Sequence, residues 1–221
     1  MLLGRSPLRI SFVGGGTDLE EYHKKYDGYS ISATIDKFTF VAAKLRTDKL
    51  YQGLAPDFYT YFSTKKFQNV NPKVGHQIAI TCLQEMKFSN GLDMFFTADV
   101  APGSGLGASS SLASNIVSII LKLQKKKWDK HKIAMKVFRI GHDVLKWGIG
   151  KQDEFAAVFG GFNLYKFSKN NVTVTPIQLN KSTLREFEKN SMLFFLGERR
   201  PSSEILKVQI KNIERLNNRT I

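Results

Sequence analysis

The sequence predicts an α+β fold, on three observations. Strand-like stretches come in pairs between helical ones and do not alternate strictly with them. Apolar residues switch between a period of two and helical spacing along the chain. No internal repeat, low-complexity tract or linker interrupts that pattern.

Leu8 to Val13 (LRISFV) alternates apolar and polar residues and runs as a strand into Gly14, Gly15 and Gly16. TDLEEYHKKY reads as a short helix with Thr17 or Asp18 as its N-cap. YSISATID and FTFVAAKLR read as two paired strands, the second rich in β-branched and aromatic residues. Between Asp48 and Asn71 only FYTYFS stands out, as an edge strand. PKVGHQIAITCLQEMK has the spacing of a helix with Cys82 in its core face, and LDMFFTADV that of a strand. VAPGSGLGASSS is a loop entering a helix that carries Leu112, Ile116, Ile119, Ile120 and Leu123 on one face. KIAMKVFRIGHDVLKWG is a further helix, and QDEFAAVFGG a shorter one closed by Gly160 and Gly161. FNLYKF and VTVTPIQL form a hairpin, SMLFFLG a buried strand, and SSEILKVQIKNIERLN a final helix.

The apolar fraction of 42%, with 17 Phe, supplies a sizeable core and excludes a disordered polymer. A formal charge of +14 favours anionic partners such as nucleotides and sugar phosphates. The lysines are dispersed, and their one cluster, Lys125 to Lys127, follows an apolar helix whose C-terminal dipole suits cations. With no basic block, RNA-type aromatic signature or helix-turn-helix pattern, no nucleic-acid partner is expected. Cys82 stands alone, so an internal disulfide is excluded and a reducing compartment fits. The first residues hold no long apolar run, so neither a signal peptide nor a membrane partner is expected, and the cytoplasm is the expected compartment. His23, His76 and His131 have no metal-ligand spacing and read as surface or capping residues.

Four loops carry chemistry. Gly103, Gly105 and Gly107 remove side chains where a ligand would approach, and Ser109, Ser110 and Ser111 fall in the next helix's first turn, whose N–H groups lack partners. This is either an anion cradle suited to nucleotide phosphates, with a serine hydroxyl in reach of magnesium, or a glycine turn with serine caps. Arg9 lies in an otherwise apolar strand, and a cation pointing inward needs a partner. Asp18 and Asp153 each open a helix, as a cap or as a group for substrate hydroxyls. Arg199 and Arg200 precede Ser202 and Ser203 as either a clamp for a second phosphate or a solvated basic turn.

APGSGLGASSSLA resembles the nucleotide loop of the GHMP kinases, and PLRISFVGGGTDL with GKQDEFAAVFGGFN resembles that family's heptose and fucose kinase branch. The three motifs stand in the family's order and cover the chain from Arg5 to about Arg200. The resemblance implies an N-terminal GHMP domain, a mixed or antiparallel sheet with helices, over residues 1–180. It implies the start of a C-terminal domain over 181–221, the rest of which is missing, with the family's third glycine motif. ATP with Mg2+ would phosphorylate the anomeric hydroxyl of a heptose 7-phosphate-like sugar. A fucose-type sugar kinase and a non-catalytic nucleotide-binding remnant are the alternatives.

By position, Pro102, Gly103, Ser104, Gly105, Leu106, Gly107, Ala108, Ser109 and Ser110 would hold the ATP, with Ser109 on magnesium. Asp153 would orient or deprotonate the sugar hydroxyl and Arg9 would pair with it. Gly15, Gly16, Thr17 and Asp18 would bind the sugar, and Arg199 and Arg200 its distal phosphate. Gly141, followed by His142 and Asp143, stands where relatives carry a magnesium-binding glutamate.

Overall fold

A computed structural model describes residues 1–66, 70, 75–194, 209, 210 and 213. Its centre is one long strand. β1 (Leu2–Val13) pairs antiparallel with β2 (Gly28–Leu45), from Leu2 opposite Ala43 to Val13 opposite Ile31. The sequence suggested two strands where β2 is one. Asp36 and Lys37, where the two stretches meet, are the extra residues of an irregularity: Pro7 faces Phe38 and Leu8 faces Ile35. β1 spans both halves and holds them in line.

The other edge of β2 is shared. β5 (Leu92–Ala98) pairs with residues 39–45 and β6 (Phe162–Phe167) with residues 28–33. β3 (Tyr51–Ala55), β4 (Thr60–Thr64) and β7 (Val172–Pro176) extend the sheet to the order β4-β3-β5-β2-β6-β7, with β1 on β2. Among the described strands only the β3–β5 pair is parallel. β4 is the edge strand expected in FYTYFS, and β6 and β7 form the expected hairpin.

Among the described residues, six helices complete the α+β fold. α1 (Glu20–His23), α2 (Gln77–Glu85), α3 (Ala108–Leu123), α4 (Lys130–Arg139) and α5 (Gln152–Phe159) fall where expected, and α6 (Lys181–Lys189) has no counterpart among the expected helices. α3 is the hub, packing on β1, β2, α2, α4 and α5. Its Ile116 and Ile120 meet Val41 of β2, Leu92, Met94 and Phe96 of β5, and Cys82 and Leu83 of α2 in one core. Each such large side chain contributes about 1.5–3 kcal/mol on burial. A smaller cluster joins Phe155 and Ala156 of α5 to Tyr165 and Phe167 of β6, so the helix bearing Asp153 is anchored to the sheet. Among the described residues no helix is long and apolar enough to cross a membrane.

Several local expectations are corrected. Neither Thr17 nor Asp18 caps α1. Leu19 holds that position, while the Thr17 hydroxyl accepts from the Tyr29 N–H (3.0 Å) and Asp18 reaches across the chain. His23 and His76 are buried, not surface residues, although His76 does take the N-cap position of α2, without a side-chain cap bond. Their rings lie against Phe167 and Phe96, and burial pushes both imidazoles below their ordinary value. The helix KIAMKVFRIGHDVLKWG ends as α4 and passes into a wider turn over Ile140–Val144. Of SMLFFLG, residues 191–194 form no strand, and Met192, Leu193 and Phe194 are exposed. The sheet ends at β7, and these residues do not pair with its outer edge. Residues 195–200, including Arg199 and Arg200, and most of the final helix lie outside the described residues.

Candidate active site

β1 delivers Arg9 to the middle of the site. Its backbone N–H donates to the Leu106 carbonyl (3.1 Å), which pins the glycine loop against the strand. Its guanidinium then points three ways: Nε to Asp153 Oδ1 (2.8 Å), Nη2 to Asp153 Oδ2 (2.6 Å) and Nη1 to the Gly105 carbonyl (2.7 Å). The two parallel bonds to one carboxylate are the fork geometry that only arginine supplies. The inward cation of β1 thus finds its partner 144 residues away, at the start of α5.

The loop itself is shaped for close approach. Gly103, Gly105 and Gly107 all adopt positive φ. Gly107 is the N-cap of α3, at φ +74°, and a Cβ there would lie 3.4 Å from both Arg9 Cγ and Asp153 Oδ2. The first bond within α3 runs from Ser111 N–H to the Gly107 carbonyl, so the N–H groups of Ala108, Ser109 and Ser110 precede the helical ladder.

The three serines separate. Ser109 is exposed and lines a mainly apolar cavity of about 240 Å³, together with Gly103, Ala108, Phe58, Phe96 and Trp147. Pro102 lines the same cavity. Ser110 faces a second cleft of about 330 Å³, which also holds Arg9, Asp153, Asp18, Gly15 and Gly16. Ser111 is buried and donates to the Ser6 carbonyl (2.9 Å), a structural tie between α3 and β1. Ser104 Oγ is buried with no partner among the described residues.

Asp18 is fixed in the second cleft by backbone donors. Oδ1 accepts from Gly16 N–H and Oδ2 from Gln152 N–H, each at 3.1 Å. Gly150 permits this, since a Cβ at that position would occupy the space of the Asp18 carboxylate. Burial, with the charge of nearby Asp153 adding to it, raises the Asp18 carboxyl above its ordinary value against the pull of those N–H donors. Thr17 faces the Tyr29 backbone and is not among the residues lining the cleft.

Sequence reasoning missed Glu154. It is 1% exposed, accepts a hydrogen bond from Ser110 Oγ (2.9 Å) and lines the same cleft as Asp153. Burial, then the charges of Asp153 and Asp18, push its carboxyl up to about 8. The signal was the acidic pair in GKQDEF, but two acids at a helix start read equally well as dipole-compensating surface residues.

The described residues do not make a resident magnesium site. Gly141 is buried, and a Cβ on it would lie 2.5 Å from Ile149 Cδ1, so that side chain fills the space. His142 Nδ1 is bonded to exposed Asp143 (2.8 Å) and its ring stacks on Phe138. Both oxygens of Asp153 are engaged by Arg9. Among the described residues no group of three or more His, Cys, Asp or Glu could hold a metal, and Ser109 is left as a single hydroxyl donor.

Residues 74–161 match the GHMP kinases N terminal domain family. The chain is similar to a D-glycero-alpha-D-manno-heptose 7-phosphate kinase of Campylobacter jejuni, 29% identical over 209 residues, 91% of this chain and 61% of that protein. It is also similar to the L-fucokinase/L-fucose-1-P guanylyltransferase of Bacteroides fragilis, 25% identical over 188 residues, 73% of this chain and 20% of that protein. Among solved structures, a D-glycero-D-manno-heptose 1-phosphate kinase from Bacteroides thetaiotaomicron superposes with a TM-score of 0.79 at 23% identity, covering 85% of this chain and 63% of that one. The chain therefore spans a little over three-fifths of two of these relatives and a fifth of the third.

Proposed function

We propose that this chain, which carries the N-terminal domain of the GHMP kinases over residues 74–161, works in an ATP-dependent sugar kinase that phosphorylates the anomeric hydroxyl of a heptose 7-phosphate-like sugar. The observation that carries the reading is Arg9, which bonds the carbonyl of Gly105 in the glycine loop and both oxygens of Asp153 in the neighbouring cleft. Phosphoryl transfer needs a cradle for the donor phosphates and a group that aligns the attacking hydroxyl, held in fixed relation. Arg9 provides that relation.

In this reading the cavity beside Phe58, Phe96 and Trp147 takes the nucleotide base, and the N-terminus of α3 takes its phosphates. The cleft with Asp18 and Asp153 takes the sugar. Asp153 accepts a hydrogen bond from the attacking hydroxyl, and Arg9 fixes the orientation of that carboxylate and adds positive charge beside the transferred group. A divalent cation would arrive on the nucleotide's phosphate oxygens, with Ser109 as the protein's donor, and would neutralise their charge.

The test is direct. ATP should bind the chain in an equilibrium titration, and added heptose 7-phosphate should release ADP in a coupled assay, in preference to L-fucose. Absence of ATP binding would overturn the reading, and a preference for free fucose would reassign the sugar. Gly150→Ala should weaken sugar affinity by about tenfold or more, because its methyl displaces the Asp18 carboxylate, while ATP affinity is kept. Equal loss of both affinities would mean that Gly150 supports the fold and not the cleft.

A further inference from the structure

Glu154 has no task in the transfer chemistry described above. It sits in the first turn of α5, almost wholly buried, beside Asp153 and behind Ser110. One carboxyl oxygen, Oε1, accepts from the Ser110 hydroxyl, and the other, Oε2, has no hydrogen-bond partner among the described residues. A buried carboxyl oxygen left unpaired costs about 1–3 kcal/mol, and the energy returns only when a partner arrives. The same side chain lines the cleft that holds Asp18, Asp153 and Arg9.

We propose that Glu154 is a specificity-determining residue of the acceptor cleft, whose unpaired Oε2 hydrogen-bonds an oxygen of the bound sugar. This inference rests on the cleft being the sugar site, as argued above. Ser110 acts with it as a positioning residue, since its hydroxyl fixes the rotation of the carboxyl and so the direction of Oε2. Asp153 and Asp18 are the acidic groups beside it, and the nearby guanidinium of Arg9 is committed to Asp153 and Gly105. Burial and the neighbouring carboxylates push the Glu154 carboxyl up to about 8, which favours its protonated form at neutral pH. Oε2 is then a donor, and its match is a lone pair on a sugar hydroxyl or ring oxygen. A neutral donor beside the charged acceptor Asp153 asks the sugar to present an acceptor and a donor in a fixed order, which selects among stereoisomers. Sites that hydrogen-bond a substrate oxygen reject analogues lacking it far more strongly than apolar pockets reject a missing methylene.

The test uses calorimetric binding of heptose 7-phosphate and its single-deoxy analogues to the full chain, with ATP affinity measured in parallel. Glu154→Leu should weaken heptose 7-phosphate by about tenfold or more and make one deoxy analogue bind as well as the parent sugar. Glu154→Gln, which keeps a donor and an acceptor in the same shape, should hold affinity within about threefold of the wild type. ATP affinity should not move in either variant. Wild-type affinity in Glu154→Leu, or an equal loss against every deoxy analogue, would overturn the proposal. So would failure of the wild type to bind heptose 7-phosphate. The kinase reading itself falls on a different readout, the wild-type titration with ATP.

Discussion

Asp153→Asn should lower the proposed phosphoryl transfer to the sugar by about 10²–10⁴-fold while ATP binding persists, a result that single-turnover kinetics beside an equilibrium ATP titration would read. The substitution keeps shape and removes charge. In the wild type both carboxylate oxygens accept from Arg9, through Nε and Nη2. An amide offers one acceptor and two donors, so one edge of the guanidinium meets an N–H and the fork is broken. In the proposed mechanism the attacking hydroxyl then loses the carboxylate acceptor that aligns it. The nucleotide cradle survives, since Arg9 still reaches the Gly105 carbonyl and its own N–H still holds Leu106. Arg9→Met acts on both sides at once, releasing the loop and leaving Asp153 without its cation. The pair is partly exposed, with side-chain exposures of 13% and 31%, so the loss of stability stays near 1 kcal/mol and the effect is read in the rate. In a double-mutant cycle the two changes should be strongly non-additive, because each destroys the same contact. Wild-type turnover in Asp153→Asn would remove Asp153 from the mechanism.

The part of this site that the sequence disclosed is the part governed by local rules. Arg9 is a cation set among the apolar residues Leu8, Ile10 and Phe12, and such a cation, where it points inward, requires a partner from elsewhere in the chain. The glycine loop announced itself by its three glycines, and the positive φ of Gly103, Gly105 and Gly107 is a conformation that glycine adopts without strain. Strand alternation placed β5 correctly, with Leu92, Met94 and Phe96 buried and Phe95 turned out. What failed was decided by contacts far apart in the chain. YSISATID and FTFVAAKLR read as two strands, yet β1 runs past Asp36 and Lys37, where they meet, and makes β2 a single strand. Met192, Leu193 and Phe194 form an apolar run, but an apolar run does not by itself specify a strand partner, and these residues are exposed. α6 was overlooked although Asn180, whose side chain accepts from Thr183 N–H, is an ordinary helix-starting residue. Asp153 and Glu154 are neighbours about 100° apart around a helix, and only the seating of α5 decides which one meets Arg9 and which is buried.

The burial of Glu154 also acts on stability, and Glu154→Gln measures it. At pH below about 4.5, the ordinary value for this group, the carboxyl is protonated in folded and unfolded chains alike and favours neither. As the pH rises past that point the unfolded chain ionises, while the folded chain keeps the proton until about 8. Across this window the unfolded chain binds fewer protons, so the wild type loses stability as the pH rises. Above about 8 both forms are ionised and the loss reaches its limit. Gln does not titrate, so the variant escapes the loss. The melting temperature of Glu154→Gln relative to the wild type should climb steadily between about pH 5 and pH 8, by an amount equivalent to a few kcal/mol. The reading lies in the slope against pH, which is independent of any fixed offset from the amide's own hydrogen bonds. Asp18, raised by the same burial, adds a parallel decline to both proteins and cancels from the comparison to the extent that the two carboxyls act independently. Parallel melting curves over the whole range would mean that Glu154 is ionised inside the folded chain. The donor assigned to Oε2 would then become an acceptor, and the cleft would select for a sugar hydroxyl that donates to both Glu154 and Asp153.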